Sequence, residues 1–255
     1  MNQNKPFFSI ILATYNRAYC IERAINSVVN QSFKNWELII VDDGSSDNTD
    51  KIVKKYLSDR RIKYIKLEKN SGVNVARNRG YKEASGKWCF ILDSDNFLED
   101  DILNKFLLYI NRYNFPYMKF ISKNIRTSSN MTEDFKTGFI SSDDFLIEKV
   151  KGEFHTLIKT DLQKKFLFFE DINGGEGIVW KLIAKYLGKV LLVNEVSILY
   201  DDSSNDRLSI KNYKRLCKIF KKDISLLGKD YFKISKLYFF KIFFKRIFYC
   251  LNSQS

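Results

Sequence analysis

The chain has 255 residues, of which 45% are hydrophobic and 29% charged, so a disordered tail protein and a low-complexity fibre are excluded. The formal net charge is +13 and aromatic residues make up 15% of the chain. A basic, aromatic-rich chain suits an anionic partner such as a nucleic acid, a membrane surface or a phosphorylated ligand, and composition does not choose among them.

Short apolar runs alternate with helical patterns along the first hundred residues. Buried strands are predicted at 7–13, 36–41, 62–67 and 88–92. Helices are predicted between them, at 21–29, from a cap at 47–49 through Tyr56, and at 75–84. This alternation predicts an α/β fold with a mixed, mainly parallel central sheet and flanking helices.

Polar residues follow three of these strands at the point where each ends. They are Thr14-Tyr15-Asn16, Asp42-Asp43 and Asp93-Ser94-Asp95. Each cluster alone is equally well explained as a turn or a helix cap. Ligands of parallel sheets bind beyond the carboxyl ends of the strands, so three such clusters favour a ligand site. Neighbouring carboxylates after a strand could also coordinate a hard divalent cation.

The positive charge is concentrated at the C-terminus. Residues 211–255 contain twelve lysine and arginine side chains and two aspartates, so the first 210 residues are nearly balanced. Basic helices are predicted at 211–222 and 231–249, where Phe, Ile and Leu alternate with Lys. Such helices suit the headgroup layer of an anionic membrane. The alternative is that their Phe side chains pack against the body of the protein.

The cysteines and the N-terminus indicate the compartment. Cys20, Cys89, Cys217 and Cys250 form no C-x-x-C pair and, with the single His155, no metal-ligand spacing, so we interpret all four as reduced thiols. The sequence shows no signal-peptide layout and no apolar segment long enough to span a bilayer. We therefore expect a cytoplasmic protein, peripheral on the inner face of the cell membrane.

Four segments carry a resemblance to a known family. SIILATYN at 9–16, ELIIVDDGSSDNT at 37–49, NSGVNVARNRG at 70–80 and GKWCFILDSDN at 86–96 resemble the nucleotide-sugar half of family 2 glycosyltransferases. The resemblance implies the GT-A (Rossmann-like) fold. Residues 144–193 are similar to the branching glucosyltransferases of bacterial glycan assembly. The family resemblance also implies a glycosyltransferase domain at 1–210, with a nucleotide-sugar half at 1–100 and an acceptor half at 101–210. The extension at 211–255 follows this domain.

The resemblance also implies which residues contact a UDP-sugar donor. Tyr15 would stack on the uracil ring, Asp43 would accept from the uracil N–H, and Asp42 would be structural. Asp95 would bind a Mg²⁺ or Mn²⁺ ion that bridges the diphosphate. The full set implied for the donor is Ala13, Tyr15, Asn16, Asp43, Arg77 (base or phosphates), Asp93 (ribose or sugar) and Ser94, with Asp95 for the metal.

A further carboxylate is needed as the base in inverting transfer. The resemblance places it at Glu176, four residues before Trp180 in NGGEGIVWKLIAK, where the neighbouring glycines permit a tight loop. Glu176 could instead simply cap a helix, and Glu170 and Asp171 are rival bases. The His that many relatives carry after the last strand is missing, so the metal would depend on Asp95, with phosphate and water oxygens completing its coordination. Asp201 or Asp202 could substitute for that His, or could belong to a solvated loop.

These residues imply an enzyme that moves one hexose or N-acetylhexosamine from a UDP-sugar to a hydroxyl of a lipid-linked oligosaccharide or a lipooligosaccharide. The Gln-x-x-Arg-Trp signature of processive synthases is absent, which favours transfer of a single sugar. His155 is expected on a strand, in the core or in the acceptor groove. Two alternatives remain at this stage: a nucleotidyltransferase with a similar core, and a non-enzymatic nucleic-acid binder, although carboxylates at the site would repel phosphates.

Overall fold

A computed structural model describes residues 5–201 and 212–253. Strands and helices alternate through residues 8–91 as expected, and the boundaries predicted there are correct to within about two residues. The strands are β1 (Phe8–Thr14), β2 (Trp36–Asp42), β3 (Ile62–Lys66), β4 (Trp88–Ile91), β5 (Phe97–Leu98), β6 (Tyr117–Asn124), β7 (Gly138–Ser141), β8 (Phe154–Lys159) and β9 (Lys189–Tyr200). The helices are α1 (Ile21–Val29), α2 (Thr49–Lys54), α3 (Val73–Glu83), α4 (Ile102–Tyr113), α5 (Ser142–Leu146), α6 (Thr160–Lys165), α7 (Glu176–Leu187), α8 (Tyr213–Ile234) and α9 (Lys236–Leu251).

The described strands form one mixed sheet in the order β3-β2-β1-β4-β8-β6-β9-β5, with β7 paired to β9. The first four strands of this order are parallel, so their carboxyl ends lie at the same edge. The second half joins through antiparallel β8, which pairs with β4 and β6. The sheet is therefore continuous across both predicted halves, and the α/β expectation is confirmed.

Side chains of the central strand β1 alternate between two cores, one on each face of the sheet. Phe8, Ile10 and Leu12 pack with α1 and α4 on one face, and Ile11 and Ala13 pack with α3 and α7 on the other. All seven residues of β1 are buried. Burial on both faces explains why this strand reads as a continuous apolar run and not as an alternating one.

The C-terminal extension is a helical hairpin that packs on the second core. Two helices were expected, but α8 continues to Ile234, so the stretch at 231–234 belongs to α8 and not to the last helix. Ser235 separates the two helices, and its hydroxyl caps α9 by accepting from the Tyr238 N–H. Buried Leu227, Tyr231 and Ile242 join the core beneath the sheet, so packing on the body is observed for one face of the hairpin.

The interpretation of four reduced cysteines is wrong for two of them. Cys217 and Cys250 form a disulfide that joins the start of α8 to the end of α9, while Cys20 and Cys89 are free. The two residues are 33 positions apart, and only the antiparallel hairpin brings their Cα atoms to 4.8 Å. Within 5–201 and 212–253, no helix combines the length and apolar character needed to cross a membrane.

Candidate active site

The predicted strand-end residues surround a cavity of about 600 Å³ at the carboxyl ends of β1, β2 and β4. Every residue that the sequence assigned to the donor, the metal or the base lines it. These are Ala13, Tyr15, Asn16, Asp43, Arg77, Asp93, Ser94, Asp95 and Glu176. The structure thus brings the whole predicted set together, while the role of each residue stays a prediction.

The two neighbouring aspartates at the end of β2 have different environments. Asp42 points into the fold, where it accepts from the Ser45 N–H (2.8 Å) and the Tyr64 hydroxyl (2.6 Å). Asp43 lines the cavity and accepts from the N–H groups of Ser71 and Gly72, both at 2.8 Å. Burial raises the pKa of the Asp43 carboxyl, although these two N–H groups oppose the shift. The pair therefore divides into a structural carboxylate and one that faces the ligand space.

The loop after β1 is fixed by hydrogen bonds to the loop after β2. The Asn16 N–H donates to the Ser45 hydroxyl (2.8 Å), and the Asn16 side-chain oxygen accepts from the Ser46 N–H (2.9 Å). Asn16 adopts a positive φ of 50°, which asparagine tolerates better than most residues. The result places Tyr15 at the cavity mouth with 41% of its surface exposed, free to stack on a flat ligand.

Arg77 is a buried cation between two carboxylates of the site. Its guanidinium donates to Asp93 at 2.6 Å and also to Glu176, with only 9% of the Arg77 side chain exposed. Burial alone would lower the pKa of Arg77, but the two carboxylates outweigh it and raise that pKa. Arg77 therefore links α3, the turn after β4 and the start of α7, and it fixes the orientation of Glu176.

Two buried asparagines on α3 hold the loop that precedes Glu176, and the sequence analysis missed them. The Asn74 amide donates to the carbonyls of Phe169, Ile172 and Gly174, each at 2.9 Å. Asn78 exchanges two hydrogen bonds with the backbone of Phe168, also at 2.9 Å. Asparagine is a poor residue for a helix interior, so the N-x-x-x-N spacing within α3 was the available signal.

The tight loop expected before Glu176 is confirmed. Gly174 and Gly175 have φ angles of 81° and 77°, which favour glycine. Glu176 is then the first residue of α7. The rival bases lie away from the cavity lining: Glu170 accepts from Asn78, and Asp171 is 64% exposed and pairs with Lys222.

Arg215 is a second residue that the sequence did not single out. It belongs to α8, yet it lines the cavity beside Gly174 and Glu176. Burial lowers the pKa of Arg215, and the Glu176 charge opposes this shift. The predicted extension at 211–255 thus contributes Arg215 to the site. A domain boundary at residue 210 would separate this side chain from the rest of the cavity.

The charged side chains at the cavity fit a hard divalent cation that binds there along with phosphate groups. The described lining includes five carboxylates (Asp43, Asp93, Asp95, Glu153 and Glu176) and three guanidinium groups (Arg17, Arg77 and Arg215). This excess of negative charge would repel a diphosphate unless a cation accompanied it. Mg²⁺ is commonly held by one or two carboxylates plus substrate phosphates and water, so Asp95 with Asp93 nearby suffices.

The suggested substitute metal ligands are Asp201 and Asp202. Asp201 pairs with Arg23 at 2.7 Å, and Asp202 lies outside the described residues. Among residues 5–201 and 212–253, no group of three or more His, Cys, Asp or Glu side chains could hold a metal without a substrate. A metal at this cavity would therefore depend on phosphate oxygens for part of its coordination.

His155 lies on β8, as expected, and is buried. Its Nε2 is 3.1 Å from the Ile91 carbonyl, which can only accept, so Nε2 carries the proton and Nδ1 faces the Ser197 hydroxyl at 2.9 Å. Desolvation lowers the pKa of His155 from 6.5 to about 3. The ring therefore stays neutral in the folded protein at neutral pH.

We expect this histidine to weaken the fold in acid. Between pH 6.5 and about pH 3, His155 is protonated in the unfolded chain and neutral in the folded protein. The free energy of unfolding therefore decreases as the pH is lowered through this range, by at most about 1.4 kcal/mol per pH unit. His155→Gln, which does not titrate there, should show a shallower loss. Urea unfolding at pH 7, 6 and 5 measures both slopes, and equal slopes would contradict the assignment.

Comparison with known proteins gives the family. Residues 9–163 match "Glycosyl transferase family 2". The GalNAc(5)-diNAcBac-PP-undecaprenol beta-1,3-glucosyltransferase of Campylobacter jejuni is 31% identical over 252 residues, covering 92% of this chain and 81% of the relative. The UDP-Glc:alpha-D-GlcNAc-diphosphoundecaprenol beta-1,3-glucosyltransferase WfgD of Escherichia coli is 46% identical over 88 residues, covering 34% of each chain.

Solved structures agree in fold. S. aureus TarS 1–349 in complex with UDP-GlcNAc matches with a TM-score of 0.72 at 20% identity, covering 90% of this chain and 74% of that one. Mannosyltransferase PcManGT from Pyrobaculum calidifontis, in complex with GDP-Man and Mn²⁺, matches with a TM-score of 0.64 at 18% identity, covering 88% and 65%. Since the family match covers more than half of the sequence and the Campylobacter relative aligns along nearly all of it, the chain belongs to glycosyl transferase family 2 and has the GT-A fold.

Proposed function

We propose that this protein is an inverting, metal-dependent glycosyltransferase that moves one hexose or N-acetylhexosamine from a UDP-sugar to a hydroxyl of a lipid-linked oligosaccharide or a lipooligosaccharide. The observation that carries the proposal is the position of Glu176. It lines the strand-end cavity and also a second cavity, which residues of β8, α7 and α9 line. A carboxylate between two cavities suits a base that receives the acceptor hydroxyl on one side and faces the donor sugar on the other.

The reaction follows from this arrangement. The acceptor oxygen attacks the anomeric carbon, its proton passes to the Glu176 carboxylate, and the bond from that carbon to UDP breaks with its electron pair on the diphosphate. Tyr15 and Asp43 would hold the uracil, as the family resemblance implies. A bound Mg²⁺ or Mn²⁺ would neutralise charge on the leaving diphosphate. Arg77 keeps Glu176 oriented while the acceptor arrives.

The relatives support the donor and the acceptor class. The Campylobacter and E. coli relatives are named for undecaprenol-linked diphosphate glycans, and TarS was solved with UDP-GlcNAc. None of these comparisons favours a nucleotidyltransferase or a nucleic-acid binder. PcManGT was solved with GDP-Man, so a guanosine donor is the natural counter-test.

The outer face of α9 supports contact with a membrane. An unbroken helical stripe of exposed apolar side chains runs along it, made of Leu237, Phe240, Phe244, Phe248 and Leu251. The surrounding sequence is strongly basic, which complements an anionic leaflet. Since the opposite face packs on the body, α9 would lie in the plane of the headgroups and present the site to a lipid-linked acceptor.

Asp95→Asn should reduce UDP affinity by about tenfold or more in the presence of Mn²⁺ and leave the weaker, metal-free affinity unchanged, because a carboxylate is a far better ligand than an amide for a hard cation. Calorimetric titration of UDP with Mn²⁺ and with EDTA measures both affinities. Asp100→Asn, an exposed aspartate five residues on, is the matched control.

A panel of UDP-sugars, with GDP-mannose as the counter-test, identifies the donor through release of nucleoside diphosphate. Release from a UDP-sugar that requires Mn²⁺ or Mg²⁺ is the expected result. Equal release in EDTA, or preferred release from GDP-mannose, would overturn the metal or the donor assignment respectively.

A further inference from the structure

A second cavity, of about 730 Å³, adjoins the strand-end cavity and shares Glu176 with it. Six residues line both cavities, namely Arg77, Asp93, Asn96, Glu153, Glu176 and Tyr200. The far wall includes Lys119 of β6, Trp180 and Lys181 of α7, and Lys241 and Lys245 of α9. The C-terminal hairpin thus forms part of the space next to the base, and it is more than an external appendage.

Most charged groups of this second cavity are already paired. Asp93 and Glu176 receive Arg77, and Glu148 receives Lys181 at 3.1 Å. Lys119 is 3% exposed, its ammonium donates to the Thr156 hydroxyl at 2.6 Å and lies 4.6 Å from the Trp180 ring, and desolvation lowers its pKa to about 7. These groups have partners inside the fold.

Lys241 and Lys245 differ from these groups. Both side chains are exposed to the cavity, and neither forms an ion pair within the described parts of the chain. They are four residues apart and therefore lie on the same side of α9. Tyr238 and Ile242, which are buried in the core, fix the rotation of the helix. Lys241 lies 6.0 Å from the Tyr238 ring, and the charge of Lys245 helps to lower the pKa of the Glu148 carboxyl. The fold thus directs two ammonium groups that no ion pair neutralises within the described residues into the cavity that contains the base.

We infer that the second cavity binds the acceptor through an anionic group, a phosphate or diphosphate on the saccharide, and that Lys241 and Lys245 are its ligands. The inference rests on the proposed function, since Glu176 defines the end where the acceptor hydroxyl reacts. The sugar would lie between the base and the lysines. Two ammonium groups on one rigid helix suit a diphosphate, which offers oxygens to both.

Phosphate chemistry could come from the acceptor or from lipid headgroups, so the test has a soluble arm and a vesicle arm. The soluble probe is geranyl diphosphate, with geraniol as its neutral counterpart, titrated in saturating UDP so that the donor cavity is filled. The variant is K241A/K245A, with the charge-reversed K241E/K245E as a second form. The control is K229A/K233A, which removes the same charge from exposed positions of α8 outside the cavity.

We expect geranyl diphosphate to bind wild type and the control with equal affinity. It should bind K241A/K245A roughly tenfold more weakly, because this variant loses two partly solvated ion pairs with the diphosphate. Charge reversal should weaken binding further. Equal weakening in the control, unchanged affinity in both lysine variants, or equal binding of geraniol would each overturn the inference. Circular dichroism verifies that all variants keep their helices.

In the vesicle arm, sedimentation with phosphatidylglycerol vesicles should fall for both K241A/K245A and K229A/K233A, because each variant removes two charges from the basic C-terminal helices. A larger loss for K241A/K245A with unchanged geranyl diphosphate binding would assign these lysines to headgroups and refute the acceptor role. Absence of vesicle binding by wild type would overturn the membrane proposal. Titration of wild type with UDP is a separate measurement. If wild type did not bind UDP, the proposed function would fail, irrespective of the result for the lysine variants.

Discussion

Glu176→Gln should reduce sugar transfer by at least about a hundredfold and leave UDP affinity unchanged. Removing a positioned general base typically costs about 10²–10⁴ in rate. Glutamine keeps an oxygen that can accept from Arg77, so the start of α7 should stay in place and the change is confined to proton transfer. Initial rates of UDP release with acceptor present, together with UDP titration, separate the two effects.

Two controls sharpen this experiment. Glu170→Gln and Asp171→Asn alter the rival carboxylates, which lie six and five residues earlier and outside the cavity lining. Both should keep transfer near the wild-type rate. If Glu176→Gln kept near-normal transfer, or if one of the rivals lost it instead, the base would be misassigned and α7 would merely begin with a capping carboxylate.

Arg77→Gln should lower both stability and activity. Its loss leaves Asp93 and Glu176 without their shared counter-ion. Breaking a fully buried pair costs about 3–5 kcal/mol, and because Asp93 and Glu176 are 45% and 29% exposed we expect about 2 kcal/mol from urea unfolding. At saturating UDP-sugar the kcat should also fall, and UDP affinity should change less, because the base has lost the side chain that orients it.

Arg79→Gln is the matched control for Arg77. It lies two residues along the same helix, is 50% exposed and pairs with Glu83 one turn away, so its removal should cost well under 1 kcal/mol. A purely structural role for Arg77 would lower stability without lowering kcat at temperatures where the variant stays folded. That outcome would remove Arg77 from the positioning of the base while leaving the proposed reaction intact.

The predictability of the site differs between its parts. Asp43, Asp93 and Asp95 follow strands whose apolar runs end at the same edge of a parallel sheet, so their convergence could be inferred from the sequence. Arg77 was expected at the donor, but its contact with Glu176 joins residues 99 positions apart. Asn78 looked like an ordinary polar position of the helix predicted at 75–84 and Asn74 lay just before it, although their amides hold the loop at 168–174.

The same division applies to the C-terminus. Its charge, its aromatic content and its helical character could be read directly from residues 211–255. The length of α8, the disulfide between Cys217 and Cys250, and the entry of Arg215, Lys241 and Lys245 into the two cavities could not.

The sequence by itself determined the alternation of strands and helices, the polar strand ends, the family resemblance and the place of the charge, because apolar periodicity and turn residues are local properties of the chain. Only the tertiary structure decided which carboxylates contact Arg77, which loop the two asparagines hold and which cavity the lysines of the last helix line. Those contacts join distant segments, and their partners follow from how helices pack on the two faces of the sheet, which no local pattern specifies.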